Sequence, residues 1–136
     1  MTRVYVDMVG DLFHYGHVEM LRRAKELGDE LVVGVLSDDL VATYKRRPIL
    51  TMDERVRVVA ACRFVDEVIP DAPLLVDRNW IERHRIDLVV HGDDVDDATL
   101  KSWFGDAQDL GIFRVLPYTP GISTSDIIGR VLERGE

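Results

Sequence analysis

The sequence predicts a three-layer α/β/α sandwich on about five parallel strands, and three observations carry that prediction. Short runs rich in Val, Leu and Ile recur along the chain, such as ELVVGVL at Glu30–Leu36 and IDLVVH at Ile86–His91. Runs of this kind are buried on both faces of a sheet. Stretches with apolar residues at helical spacing separate them. Alternation of strand and helix implies parallel pairing through right-handed crossovers. The 136 residues suit one domain over 1–136.

The elements follow in order. Arg3–Met8 reads as a strand and leads into a loop through Gly16. His17–Leu27 places Val18, Leu21, Ala24 and Leu27 at helical spacing, and Gly28 stands at the stop position. After the Glu30–Leu36 strand, Ser37 caps a helix that fades before Lys45. Thr51 with Glu54 three residues on makes a capping box for a helix to about Arg63. Glu67–Ile69 is a short strand, Asn79–His84 a helical turn or two, and Ile86–His91 the fourth strand. Thr99–Leu110 is a helix ended by Gly111, Ile112–Leu116 the fifth strand, and Ser123 caps a last helix over Asp126–Glu133. In such sheets ligands bind beyond the carboxyl ends of the strands. The loops after Met8, Leu36, His91 and Leu116 should therefore meet at one site.

Composition narrows the function classes. Hydrophobic residues make up 46% and charged residues 31%, the balance of a globular chain and not of a disordered one. The net charge of −8 argues against a general nucleic-acid surface, which needs clustered Lys and Arg. It leaves room for a local phosphate site, and Lys45, Arg46 and Arg47 form a short basic cluster. No apolar run approaches the roughly 20 residues of a membrane span. Arg3 and Asp7 interrupt the start of the chain, unlike a signal peptide, and Cys62 stands alone, so a cytoplasmic location is the default expectation.

The loop Gly10-Asp-Leu-Phe-His-Tyr-Gly-His17 carries the strongest chemistry. Two histidines three apart sit where a loop becomes a helix, and helix N-termini bind phosphate through free N–H groups. Two imidazoles there can donate to phosphate oxygens as charge builds. Gly121–Ser125 opens the last helix with hydroxyls and free amides of the same kind.

His14-Tyr-Gly-His17 resembles the HxGH motif of the nucleotidyltransferase superfamily, and Val4–Asp39 resembles its cytidylyltransferase branch. The likeness continues through Lys45, Glu54-Arg55, Arg63–Val68, His91–Asp94 and Gly121–Asp126, covering nearly the whole chain. It implies a Rossmann-like domain in which an acceptor phosphate attacks the α-phosphorus of CTP in line, with Mg²⁺ accompanying CTP. The acceptor would be phosphoethanolamine, phosphocholine or glycerol 3-phosphate in type, or a phosphonate. The resemblance implies catalytic roles for His14, His17, Lys45 and Arg63. It implies nucleotide contacts from Val9, Gly10, Asp11, Gly16, Arg46, Gly92, Asp94, Tyr118, Thr119, Gly121, Ile122, Ser123, Thr124 and Ser125. It implies acceptor contacts from Lys45, Arg55 and Trp80, a metal role for Asp11, and a homodimer around Arg63–Val68.

Alternatives stay open at several positions. Arg55 and Arg63, eight apart, share a face if one helix carries both, but Arg55 reads nearly as well as a surface salt bridge. A quaternary amine needs an aromatic cage, for which Tyr15, Trp80 and Trp103 are the candidates. Three positions depart from the family pattern: Met8 replaces a usual glycine, Gly10 a usual aromatic, and Tyr118 a usual arginine. Arg46, Arg47 or Arg114 could supply the missing charge. An ATP-using relative and a non-catalytic nucleotide-binding module are the competing readings.

Overall fold

A computed structural model describes residues 1–43 and 45–135. Five parallel strands form one sheet: β1 (Arg3–Met8), β2 (Glu30–Leu36), β3 (Glu67–Ala72), β4 (Leu88–Gly92) and β5 (Phe113–Leu116). Their order is β3-β2-β1-β4-β5. The helices are α1 (Tyr15–Glu26), α2 (Asp38–Ala42), α3 (Met52–Ala60), α4 (Arg78–Arg83), α5 (Asp97–Asp109) and α6 (Thr124–Arg134).

Strand periodicity sorts the core into two layers. Val4, Val6, Leu31, Val33, Val35 and Val90 point to one face, against Leu21 and Ala24 of α1 and Val59 of α3. Tyr5, Val32 and Val89 point to the other, against Ile81 of α4 and Phe104 and Ala107 of α5. This is the α/β/α sandwich of the sequence reading. Full burial of a Val or Leu side chain contributes about 1.5–3 kcal/mol, so the β1–β2–β4 centre dominates the stability.

The strand order places the site. The chain builds outward from β1 through β2 and β3, then returns to β4 on the other side of β1. Loops after β1 and β4 thus diverge, and a crevice opens above the β1–β4 boundary at this switch point.

Several boundaries differ from the sequence reading. The first helix starts at Tyr15, two residues early, because His14 serves as its N-cap. The third helix ends at Ala60, so Arg63 lies beyond it and does not share a helical face with Arg55. The third strand extends to Ala72 through Pro70, which an edge strand tolerates because its outer amide needs no partner. Asp96 caps α5, which starts at Asp97, two residues before the expected Thr99, and α5 is kinked at Phe104 (φ −126°, ψ 21°).

Candidate active site

A cavity of about 430 Å³ occupies the crevice. Its floor is the carboxyl end of β1 (Val6, Asp7, Met8) and of β4 (His91, Gly92). One wall is His14, Gly16, His17 and Met20, and the opposite rim carries Lys45, Arg46 and Pro48. Tyr118, Thr119 and Ser123–Ser125 close it from the last loop and the start of α6.

The two histidines are held in one tautomeric arrangement. The Gly16 amide donates to His14 Nδ1 at 3.1 Å, and the His14 amide donates to His17 Nδ1 at 3.0 Å. Both Nδ1 atoms therefore accept, and each neutral ring carries its proton on Nε2. This reciprocal pair is a capping box built from imidazoles in place of the usual Ser/Thr and Glu. Gly16 is required by space: a Cβ there would stand 2.8 Å from His14 Cε1 and 3.2 Å from Ile122 Cγ2. Phe13 stacks on the far side of His17 at 5.2 Å, and the two imidazoles are 4.0 Å apart.

Burial keeps both rings neutral. It pushes His17 down to about 3, assisted by His14 and by the Lys45 charge, with Asp11 opposing. His14 is also lowered by burial, with Asp126 opposing. His14 Nε2 is buried without a hydrogen-bond partner among the described residues, a donor oriented before any ligand arrives.

Behind this wall, Arg55 and Asp11 hold the loops in register. Arg55 is fully buried. Its Nη1 donates to Val9 O (2.7 Å) and Leu36 O (2.9 Å), its Nε to Leu50 O (3.3 Å), and its Nη2 to Asp38. One guanidinium thus ties the loops after β1 and β2 to the start of α3. Asp11 accepts from Ile49 N and Leu50 N at 2.9 Å each, and its carbonyl accepts from Thr124 Oγ1. Gly10, at φ +70°, makes the turn that delivers Asp11.

The β4 end of the cavity is acidic. Asp7 is buried at the end of β1, with its carboxylate 3.7 Å from His91 Nε2. His91 Nδ1 donates to Gly92 O at 2.8 Å and lies 3.8 Å from Asp94. Desolvation raises Asp7 to about 6, with His91 lowering and Asp94 raising it further. Met20, Val95 and Trp103 border the same end.

A family model described as cytidylyltransferase-like matches residues 10–130, nearly the whole of this construction. The chain belongs to the cytidylyltransferase-like family. It is 38% identical to ethanolamine-phosphate cytidylyltransferase of Mus musculus over 97% of this chain and 33% of that protein. It is 40% identical to the Dictyostelium discoideum protein of the same name, covering 96% of this chain and 36% of that one. Identity to choline-phosphate cytidylyltransferase A of Homo sapiens is 40%, with the same coverage. The chain thus spans about a third of the length of these curated relatives. Among solved structures, a lipopolysaccharide core biosynthesis protein from Thermoplasma volcanium GSS1 superposes with a TM-score of 0.69 at 26% identity, covering 90% of this chain and 99% of that one.

Within this family site, the cavity gathers His14, His17, Lys45, Val9, Asp11, Gly16, Arg46, Gly92, Asp94, Tyr118, Thr119, Ser123, Thr124 and Ser125. Gly10, Gly121 and Ile122 are not on its lining; the two glycines make turns at positive φ and Ile122 is buried. Three expectations need correction. Arg55 is neither an acceptor contact nor a surface ion pair, because its guanidinium is spent on backbone carbonyls and Asp38 inside the protein. Trp80 packs against Tyr5 at 6.1 Å and His84 at 4.1 Å, outside the cavity, and Trp103 is the tryptophan that faces it. Arg63 is exposed beyond α3, 5.1 Å over the Phe64 ring, and contributes nothing to the cavity.

Each carboxylate oxygen of Asp11 accepts from one backbone amide, which fixes its orientation at the cavity edge. Among the described residues no three His, Cys, Asp or Glu side chains form a metal-holding group. Of the arginines that could replace a charge at Tyr118, Arg46 lines the cavity and reaches Ser125 Oγ at 3.3 Å. Arg47 pairs with Asp39 instead, and Arg114 lies on exposed β5. Asp7 and His91 are the groups that the sequence reading left without a role. The signal for Asp7 is an acidic residue inside an otherwise apolar strand.

Proposed function

We propose that this chain transfers CMP from CTP to a small phosphorylated amino alcohol, or the matching phosphonate, and releases pyrophosphate. The carrying observation is the pair of neutral imidazoles that line a cavity bounded by Lys45, Arg46 and the α6 N-terminus, with His14 Nε2 left without a partner among the described residues. In this reading an acceptor phosphate oxygen attacks the α-phosphorus, forming one P–O bond. The bond from the α-phosphorus to the bridging oxygen of the β-phosphate breaks. Charge builds on the non-bridging oxygens, where preoriented N–H donors act best. The free amides and hydroxyls of Ser123–Ser125, with Arg46, suit the departing pyrophosphate. Any Mg²⁺ chelated by the triphosphate belongs to the substrate. The names of the relatives support the reaction class. The test is pyrophosphate release across nucleotides and acceptors: turnover with CTP is expected, and faster turnover with ATP would overturn the reading.

The acidic end of the cavity favours a cationic acceptor headgroup. A buried carboxylate near His91 and Asp94 can accept from a glycerol hydroxyl, but it pairs more strongly with an ammonium. Trp103 and Tyr118 on the lining offer less than a full cage, which favours a primary amine over a quaternary one. Asp7→Asn should raise the KM for phosphoethanolamine about tenfold at pH 7.5 and leave the KM for CTP unchanged, the scale of one charge-assisted hydrogen bond. In the wild type this KM should climb as pH falls below about 6, where Asp7 takes up its proton, and the rise should be shallower in the variant, which keeps only the part due to the acceptor phosphate's own second ionisation. Stability has the opposite sign. A carboxyl raised in the fold stabilises below its unfolded value and loses that contribution as pH rises through about 6. Asp7→Asn should therefore melt no lower than wild type at pH 7.5. A lower midpoint with an unchanged acceptor KM would remove Asp7 from acceptor binding.

A further inference from the structure

We propose that Arg23 is a positioning residue for the nucleotide, a role that rests on the cytidylyl-transfer reading. It acts by bracing the segment Pro117–Thr119 from α1. The Arg23 Nη1 donates to Pro117 O at 2.6 Å and the Nη2 to Thr119 Oγ1 at 3.2 Å. The two arms of one guanidinium thus straddle Tyr118. On the other side, Asp93 Oδ1 accepts from the Tyr118 amide at 2.8 Å. Tyr118 and Thr119 line the cavity, whereas Arg23 does not.

The segment needs such a brace. It runs from the end of β5 to Ser123, the α6 N-cap, through two prolines and Gly121 at φ +90°. Pro117, Tyr118 and Pro120 are exposed, so little apolar packing holds them. Fixing a loop residue costs roughly 1–2 kcal/mol in backbone entropy. A segment ordered before CTP arrives spares binding that cost. Arg23 also couples this segment to α1, the helix that His14 caps and His17 opens. Both walls of the triphosphate end are therefore referenced to one rigid element.

A plainer role exists for a basic residue in the last turn of α1, where it favours the helix dipole. That role predicts a change in stability and none in nucleotide affinity. The fork predicts the reverse. Arg23→Ala should weaken CTP binding, by calorimetry and by KM, about tenfold, the lower end for losing a hydrogen bond to a charged group. The kcat should stay within about twofold and the acceptor KM should not move, since His14, His17 and Asp7 are untouched. Arg23→Lys should stay close to the alanine variant, because an ammonium cannot span both acceptors in the fork geometry. Asp93→Ala should weaken CTP binding too, and the double variant should lose less than the product of the single losses, because both brace one segment.

Amide hydrogen exchange at Tyr118 and Thr119, measured without nucleotide, reads the brace directly. Faster exchange in Arg23→Ala is expected. Unchanged exchange, wild-type CTP affinity in Arg23→Ala, or full rescue by Arg23→Lys would each overturn the positioning role. Faster exchange in Arg23→Ala alongside a wild-type protein that binds no CTP would overturn both the cytidylyl-transfer reading and Arg23's role toward the nucleotide, leaving the brace as a fold contact.

Discussion

Replacing His17 by alanine should lower kcat by about 10²–10³, the cost of removing one preorganised donor from a site of developing charge. The KM for CTP should change far less, because the donor acts most strongly when the phosphate oxygens carry extra charge. His17 Nδ1 also accepts the His14 amide, so the substitution loosens the N-cap of α1 and takes some alignment from His14. The pH profile carries a second signature. His17 is held neutral down to about 3, so its titration should not limit turnover between pH 5 and 8. An acid limb is expected in that window from Asp7, and it is linked to the acceptor. The unfolded chain binds a proton at His17 near the ordinary histidine value, while the folded chain resists until about 3. His17 therefore supports the fold above the ordinary value, and that support is lost as pH falls towards 3. Stability measured from pH 7 down to pH 4 should fall less steeply in the alanine variant. A kcat within threefold of wild type would remove His17 from the chemistry.

The second large effect is on the fold. Arg55→Met keeps most of the side-chain volume and removes every donor. Val9, Leu36 and Leu50 each lose a partner for a backbone carbonyl, and Asp38 loses the cation inside the protein. Removing one member of a buried charged pair costs about 3–5 kcal/mol. Asp38 is a third exposed and can rehydrate, so the lower end applies. For a chain of this size that corresponds to a melting midpoint lower by roughly 10 °C. Arg55→Lys should recover little, because an ammonium lacks the planar fork that reaches several loops. Thermal unfolding followed by circular dichroism decides the matter. A midpoint within about 2 °C of wild type would mean that the guanidinium does not organise these loops.

Much of the fold is legible in the sequence because its signals are local. The run ELVVGVL has no hydrophilic face and so forms an inner strand. The Thr51–Glu54 capping box and the Ser123 cap lie where their hydroxyls reach free amides three residues on. The start of α1 is the instructive miss. A histidine pair replaces the usual Ser/Thr–Glu pair, and propensity gives no reason to expect imidazole as a cap. The same spacing of three that suggests a catalytic pair also marks a capping box, and here the structure shows the capping box.

The site divides in the same way. The residues proposed to face phosphate come in contiguous stretches, His14–His17 and Ser123–Ser125, whose spacing alone brings them to helix starts. Arg55, Asp7 and Arg23 take their roles from distant partners. An arginine in an amphipathic helix looks like a surface residue until three loops direct their carbonyls at it. Asp7 and His91 are 84 residues apart and meet only because β4 pairs with β1 on the side away from β2. By itself the sequence determined the alternation of strands and helices, the caps and the proposed phosphate-binding stretches, because these depend on neighbours within a few residues. The tertiary structure decided which charged groups are buried, which line the cavity and which tie loops together. Those outcomes depend on strand order and desolvation, which residue spacing along the chain does not encode.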